Sequence, residues 1–328
     1  MAKRINLYDE KTYVNKVLSD NKLLLDDYVM ELKSRGLAEK TIYQYSSDIK
    51  AFYCWLANNL DNKYILDLKK RDFRRFFLKM SENGTSSARI NRFQSSLRNI
   101  LNFAVEDDDE YEYDINAMAS IKGMKGEKVR EITFLTDEQI NILLNYLIEN
   151  KMYQQALYLS LSYDSAGRRN EVLQVNKHNF LESNVTNEVI GKRGKRFKLY
   201  YFDYTKEIAK MYFDDRGQDD VDSLWVVGKG SEAVPRSYES LYSWVVSFRK
   251  ILLDQTGEEV PLNPHSFRHS ALTNYENGTH HSLKHFGKDH LPIEVLKVLA
   301  NHTSIDTTQS YLPNKDEELL LNALGLLQ

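Results

Sequence analysis

Four consecutive segments between residues 23 and 105 carry the apolar spacing of amphipathic helices, and this run restricts the fold more than any other feature. The first shows the pattern most simply, with apolar side chains at Leu25, Tyr28, Val29 and Leu32. Gly36 and Gly84 interrupt the run where a helix would end. The other segments cover residues 39–56, 66–80 and 85–105. Such a run predicts a helical unit without a sheet.

The rest of the chain also has mainly helical patterns. Thr136 to Gln139 form a capping box at the start of one helix, and residues 153–162 are apolar almost all round, as in a central core helix. Further helices are predicted at residues 237–253 and 265–275. Residues 185–202 alternate and contain turn residues, which predicts paired strands. The predicted fold class is therefore mainly α with a small β hairpin (α+β).

The composition is that of an ordinary soluble protein. A length of 328 residues suggests two domains, with 42% hydrophobic and 28% charged residues. Cys54 is the only cysteine, which excludes an intrachain disulfide and a cysteine-based zinc cluster. The N-terminal residues are charged, and no apolar run approaches the length of a membrane span. We therefore expect a cytoplasmic protein with no membrane partner.

The charge balance does not by itself favour a nucleic-acid binder, because the net charge is −3. Seven acidic residues, however, lie within residues 106–114, and the chain without them would carry about +4 (−3 + 7). Basic residues are concentrated on the third and fourth predicted helices and within residues 121–130. Any charge that faces DNA must therefore be local.

Residues 299–311 combine the end of a helix, a short turn and a second helix that carries Tyr311. The apolar face of the first helix is predicted from Val295, Leu296, Val298 and Leu299. His302 lies in the turn, and Thr303 or Ser304 can cap the second helix. A tyrosine that attacks a phosphate needs arginines for charge and a lysine or histidine to move protons. The chain offers such residues at Arg168, Lys192, His265 and Arg268.

Several local motifs occur together in one order. They are Ala-Gly-Arg-x-x-Glu at residues 166–171, His-Ser-Phe-Arg-His at residues 265–269, and Ala-Asn-His at residues 300–302, followed by Thr-Thr at 307–308 and then Tyr311. Together they resemble the motifs of the tyrosine recombinases, or phage-type integrases. In that family a glycine usually stands at the positions of Ala166 and Asn301.

The resemblance implies a two-domain architecture. A helical core-binding (SAM-like) DNA-binding domain would cover residues 22–114, where Lys-Thr-Ile-x-x-Tyr at residues 40–45 also matches the family. A basic, glycine-containing linker would follow at residues 115–131, and a catalytic-type domain with a C-terminal tail would cover residues 132–328. Residues 1–21 would form an N-terminal arm.

The resemblance also implies the chemistry of DNA cutting and rejoining. The catalytic residues would be Arg168, Lys192, His265, Arg268, His302 and Tyr311. The arginines would hold the non-bridging phosphate oxygens, Tyr311 would attack phosphorus, and Lys192 would protonate the leaving 5′ oxygen. His265 would assist Tyr311 as acid or base, and His302 would hydrogen-bond the phosphate. Arg169 is an alternative to Arg168. Neither a metal nor another cofactor is required.

Duplex DNA is the expected partner. Candidate contacts to its backbone are Lys40, Thr41, Lys69, Lys70, Arg71, Arg74, Arg75, Arg89, Arg92, Lys122, Lys125, Lys195 and Arg196. For each basic residue alone, a solvated surface is the competing interpretation. The family further implies a homo-oligomer on DNA, a dimer or tetramer, and allows an accessory DNA-bending protein. The leucine-rich stretch at 317–327 would dock on a neighbouring protomer or on its own domain.

Residues 277–290 depart from the family pattern. This insert contains His280, His281, His285 and His290. A histidine cluster can bind zinc, but the family chemistry needs no metal, so we expect a surface loop.

Two functions follow from the same residues. The first is a site-specific recombinase or integrase that works through a 3′-phosphotyrosyl intermediate. The alternative is a DNA-binding regulator of a phage or mobile element that no longer recombines. It is suggested by the negative net charge, by the absence of glycine at residues 166 and 301, and by the insert at 277–290. A relaxing topoisomerase of related chemistry is a third, minor possibility.

Overall fold

The computed structural model describes residues 7–125 and 133–312. Contacts between residues divide the chain into two units, residues 1–130 and 131–328. The predicted domain boundaries at 22–114 and 132–328 remain a proposal. The tail after Leu312, with its predicted docking role, lies outside the described residues. Among the described residues, no helix is both long and apolar enough to span a bilayer.

The first unit is built from helices alone within its described part. They are α1 (Glu10–Asn15), α2 (Ser19–Ser34), α3 (Glu39–Asn59), α4 (Lys70–Glu82) and α5 (Ser87–Glu106). The four helices that the sequence predicts are thus confirmed as α2 to α5. The third begins later than expected, because a 3₁₀ turn, Ile65–Asp67, precedes it.

An aromatic cluster forms the centre of the first unit. Phe52 contacts both Trp55 and Phe76, with ring centroids 5.9 and 4.9 Å apart. Phe93 of α5 contacts Phe76 at 5.9 Å. Such rings bury large apolar areas, so they hold three helices together at a single point. Met118, in the segment predicted as a linker, is fully buried on this core, so the folded unit extends past residue 114.

Within residues 133–312, the second unit is mainly helical with two small sheets. Its elements are α6 (Asp137–Glu149), α7 (Tyr153–Ser165), α8 (Arg169–Leu173), β1 (Val185–Ile190), β2 (Arg196–Tyr200), α9 (Asp203–Arg216), β3 (Val226–Val227), β4 (Val234–Pro235), α10 (Tyr238–Thr256), α11 (Pro264–Asn277), α12 (Ile293–Leu299) and α13 (Ile305–Gln309). The strands pair as two antiparallel hairpins, β1 with β2 and β3 with β4. A mainly α fold with a β hairpin is confirmed.

Helix α7 is the centre of this unit, as its apolar pattern predicts. Every residue from Ala156 to Ser165 is buried. Tyr158 makes edge-to-face contacts with Trp225, Trp244 and Phe267 at 5.5–6.3 Å. The helix therefore touches neighbours on all sides, and its C-terminal end is held firmly where the next turn begins.

Helix α9 is not among the predicted helices. It ends at Arg216, whose guanidinium binds the carboxylate of Asp219 at 2.5 and 2.7 Å. Two expectations for this unit were also wrong. The apolar face of α12 is narrower than predicted, since Val298 is 74% exposed whereas Leu296 is buried. The second concerns the histidine insert.

The insert at 277–290 is only partly a surface loop, because its ends are exposed but His280, Ser282 and Leu283 are buried. It forms a 3₁₀ helix, His281–Phe286, that packs on the core. The buried ring of His280 is sandwiched between Tyr163 and Tyr275, with centroids 3.9 and 3.7 Å away. Buried stacking on two tyrosines explains why the histidine is there, and no sequence period could have revealed that contact.

Candidate active site

Arg168 stands at a tight corner between α7 and α8. Helix α7 ends at Ala166, which has a left-handed backbone (φ +49°) and is fully buried. Arg168 then caps α8, where its backbone N–H donates to Glu171 Oε2 at 2.8 Å. Its Nη1 also donates to Glu171 Oε1 at 2.9 Å. The buried carboxylate thus orients a guanidinium that is 27% exposed.

The neighbouring Arg169 is directed elsewhere. Its guanidinium lies 3.5 Å from the centre of the Tyr238 ring. That stacked position favours a packing role for Arg169. The geometry therefore supports Arg168 in preference to Arg169.

Arg268 is buried beneath the site, with only 1% of the residue exposed. Its Nη1 donates to the carbonyl of Ala166 at 2.6 Å, and its Nη2 donates to the carbonyl of Ala300 and to His302 Nε2, the latter at 2.6 Å. Its Nε has no hydrogen-bond partner among the described residues. Burial, and to a smaller extent the charge of Arg168, lowers the pKa of Arg268 to about 10. The guanidinium therefore stays cationic at neutral pH.

His302 joins Arg268 to α13. It is 5% exposed, and its Nδ1 lies 3.0 Å from Thr308 Oγ1. Burial and the charges of Arg268 and Arg168 lower the pKa of His302 to about 3. The imidazole is therefore neutral at physiological pH.

Tyr311 lies against two imidazole rings. The centroid of its ring is 4.4 Å from that of His269 and 4.9 Å from that of His302. Because a carbonyl can only accept, His269 Nδ1 donates to the Tyr311 carbonyl at 3.0 Å. The guanidinium carbon of Arg268 is 5.3 Å from the centre of the Tyr311 ring. The predicted nucleophile is thus placed beside the predicted arginine within one chain.

His269 is a site residue that the sequence prediction did not include. The signal was present, since it is the last residue of the His-x-x-Arg-His motif. It follows Arg268 on α11, and His265 precedes it by one helical turn. His265 is exposed, and partial desolvation together with the charges of His269 and the arginines lowers its pKa.

A pocket of about 220 Å³ collects most of the predicted phosphate-binding groups. Its lining consists of Arg168, Lys192, Lys195, Phe197, Asn301, His302, Thr303 and Thr307. None of these described lining residues is a carboxylate, so this part of the pocket has the charge that a phosphate requires. Arg196, on the same hairpin, is paired instead with Glu188 at 3.0 Å.

Two contacts hold the β1–β2 hairpin, and with it Lys192, against α8. The side chain of Gln174 donates to the carbonyl of Ile190 at 3.0 Å and accepts from its N–H at 2.9 Å. Gly191 allows close approach, because a Cβ there would lie 2.6 Å from Phe197 Cε1 and 3.3 Å from Glu171 Oε1. Sequence reasoning missed both Gln174 and Gly191, since their role depends on the α8–hairpin contact.

Potential metal ligands converge away from these residues, at the insert. Ligand atoms of Asp137, His280 and His281 lie within 4.8 Å of one another. However, His281 Nδ1 is already bonded to Asp137 at 2.9 Å, and His280 Nδ1 accepts from the N–H of Ser282 at 3.2 Å. These internal bonds are the simpler explanation of the cluster, and they fix the insert to α6.

Comparison with known proteins places this geometry in a family. The phage integrase N-terminal SAM-like domain matches residues 25–108, and the phage integrase family model matches residues 133–318. The SPbeta prophage-derived recombinase-like protein YomM of Bacillus subtilis is 27% identical over 88% of this chain and 86% of its own length. The tyrosine recombinase XerC of Treponema denticola is 26% identical over 87% of this chain and 92% of its own.

Solved structures show the same fold. A lambda integrase dimer bound to a core site has a TM-score of 0.67 and 17% identity, over 88% of this chain and 94% of that one. The Tn1549 transposon integrase with circular intermediate DNA has a TM-score of 0.68 and 16% identity, over 92% and 98%. Since the integrase family model alone spans more than half of the sequence, this chain belongs to the phage integrase family and is a tyrosine-type DNA recombinase.

Proposed function

We propose that this recombinase cuts duplex DNA with Tyr311 and rejoins it through a 3′-phosphotyrosyl intermediate. The observation that carries the proposal is the pocket lined by the basic Arg168 and Lys192 and by the neutral His302, with Tyr311 and the buried Arg268 beside it. Such an arrangement suits the extra negative charge of a pentavalent phosphate transition state.

Each step can be assigned to a group of this chain. The Tyr311 hydroxyl oxygen forms a bond to phosphorus while the bond from phosphorus to the 5′ oxygen breaks. His265 takes the tyrosine proton, which its lowered pKa permits because the ring is neutral at pH 7. Lys192 gives a proton to the leaving oxygen. The reverse steps rejoin the strand, so neither ATP nor a metal enters the cycle.

The two arginines have different access to the phosphate. Arg168 opens directly onto the pocket. Arg268 is only 1% exposed and uses three of its five N–H groups for protein acceptors, of which His302 lies on a pocket-lining side chain. We infer that Arg168 makes the direct phosphate contact and that Arg268 mainly supplies charge from below.

The first unit offers a second basic pocket for the DNA backbone. It measures about 480 Å³ and is lined by Lys70, Arg74, Phe77, Gln94, Ser120, Ile121 and Lys122. Arg71 and Arg75 are exposed on the same helix. Arg92 is less available, because its Nε and Nη2 are bonded to the buried Asp48 at 3.0 and 2.8 Å. The other predicted contacts remain part of the proposal.

Assembly on DNA is proposed from the relatives. Lambda integrase has been solved as a dimer on a core site and as a tetramer on a Holliday junction. We propose that this chain likewise acts as a homo-oligomer on DNA. An accessory DNA-bending protein remains a prediction from the sequence.

The decisive experiment is to trap the intermediate on the protein's own site in a nicked duplex. Wild type should yield a covalent adduct, and Tyr311→Phe should bind equally well without one, because only the attacking oxygen is lost. Binding should weaken steeply with salt, by about 0.9 in log–log slope per phosphate contact. Tight binding by wild type with no Tyr311-linked DNA would instead support the regulator.

A further inference from the structure

The buried contact between His302 and Thr308 has no role in the mechanism so far. Thr308 is fully buried on α13, six residues after the histidine and three before Tyr311. Its hydroxyl lies 3.0 Å from His302 Nδ1. A buried hydroxyl aimed at a functional imidazole is the arrangement that sets which ring nitrogen carries the proton.

The partners of His302 determine that choice. Arginine has only donors, so the 2.6 Å contact between Arg268 Nη2 and His302 Nε2 requires that Nε2 accept. The single proton of the neutral imidazole must then be on Nδ1, from which it is donated to Thr308 Oγ1. The three side chains thus form one directed series, Arg268 to His302 to Thr308.

We propose that Thr308 is a positioning residue for Arg268. By accepting the Nδ1 proton, it keeps Nε2 of His302 as an acceptor and so holds Nη2 of the arginine in place. The proposal rests on the proposed function, and it gives His302 a role in the DNA-free chain as the support of an arginine.

The opposite tautomer would break this series. With the proton on Nε2, two N–H groups would face each other at the Arg268 contact, and Nδ1 would need a donor in place of an acceptor. Thr308→Val removes the hydroxyl with almost no change of volume, so it leaves a buried N–H without a partner and disfavours the observed tautomer. Thr308→Ser keeps the hydroxyl and should restore it.

Thr273 provides a matched control. It is also a fully buried threonine of the second unit, but its hydroxyl has no hydrogen-bond partner among the described residues. Thr273→Val therefore makes the same chemical change without cutting a bond. It should leave both cleavage and the state of His302 as in wild type.

The experiment has two readouts. Nitrogen-15 NMR of histidine, with the His302 signals identified by their loss in His302→Gln, should show a proton on Nδ1 in wild type, Thr308→Ser and Thr273→Val, and a changed pattern in Thr308→Val. On a saturating nicked duplex, Thr308→Val should cleave about 10- to 100-fold more slowly, with DNA affinity within about threefold, as when a second-layer partner of a functional imidazole is removed.

Either readout can overturn the proposal. A wild-type proton on Nε2, or a Thr308→Val variant that cleaves as fast as Thr273→Val, would exclude the positioning role. If wild type forms no adduct at all, the proposed function fails, and the tautomer comparison alone then decides whether Thr308 sets the state of His302.

Discussion

Two turns of the second unit both bind the guanidinium of Arg268, although they contain different residues. The turn after α7 has Ala166 at φ +49°, and the turn after α12 has Asn301 at φ +54°, both left-handed. The carbonyl of Ala166 and that of Ala300, beside Asn301, each accept from the guanidinium of Arg268. One buried arginine therefore joins the two turns, and each turn also carries a pocket residue, Arg168 or His302.

The difference between the turns lies in how the left-handed backbone is tolerated. Asparagine adopts this conformation readily, whereas alanine has a Cβ that disfavours it by roughly 1–2 kcal/mol. Family members usually have glycine at both positions, and its absence was one reason to consider an inactive regulator. Both turns keep the left-handed backbone that glycine adopts readily. The replacements therefore preserve the backbone geometry of the site. The first turn is strained and the second is not.

Removing Arg268, which joins the two turns, should have the largest effect on cleavage and stability. Arg268→Ala removes a charge at the transition state, and cleavage should fall on the order of 10²–10³-fold. It also leaves two buried carbonyls without donors, which costs about 1–3 kcal/mol of unfolding free energy. Arg168→Ala should lose cleavage equally but stability much less, because Arg168 is partly exposed. Single-turnover cleavage and thermal unfolding separate the two, and equal destabilisation would contradict the link.

Acid should reduce the stability of the folded chain in part through His302 of the second turn. Its pKa is about 3 in the folded chain and near 6.5 in an unfolded one, so the unfolded state takes up the proton first. This contribution to stability is complete above pH 6.5 and falls as the pH drops toward 3, by about 2 kcal/mol at pH 5. Unfolding free energies of wild type and His302→Gln across this range measure it. Parallel pH profiles would refute the assignment.

Crowding the hairpin should disturb the first turn alone. In Gly191→Ala the new Cβ would meet Phe197 and crowd the Glu171 carboxylate that holds Arg168. We expect cleavage to fall about tenfold, comparable to losing part of a charge-stabilising contact. Gly194→Ala at the same hairpin tip is a useful contrast, because a Cβ there has open space, although its φ of +72° adds backbone strain. Loss of cleavage in the Gly194 variant alone would reverse the interpretation.

Relieving the strain of the first turn should have the smallest effect. Ala166→Gly should raise the unfolding free energy by about 0.5–1 kcal/mol, because the removal of the Cβ penalty exceeds the added freedom of the unfolded chain. Asn301→Gly should be neutral or slightly destabilising. Chemical denaturation of the two variants beside wild type tests this ordering. A destabilised Ala166→Gly would show that the buried methyl contributes more by packing than it costs in strain.

Much of the fold could be read from periodic patterns. The helices α2, α3 and α5, the capping box at Thr136 and the wholly buried α7 follow from apolar spacing and capping residues, which act within a few positions. Helix α9 was missed, because half of its residues are charged and its buried positions are few. The insert was misjudged since its histidine is buried by stacking between two tyrosines distant in sequence.

The sequence by itself determined the chemical inventory: a tyrosine, two arginines, a lysine and histidines in the order of an integrase, together with a helical first unit. Tertiary structure alone decided how they work together. Arg168 rather than Arg169 faces the pocket, His269 stacks on Tyr311, and the hydroxyl of Thr308 lies beside Nδ1 of His302. These choices depend on hydrogen-bond donors and ring faces that meet across separate helices, and such contacts leave no period in a sequence.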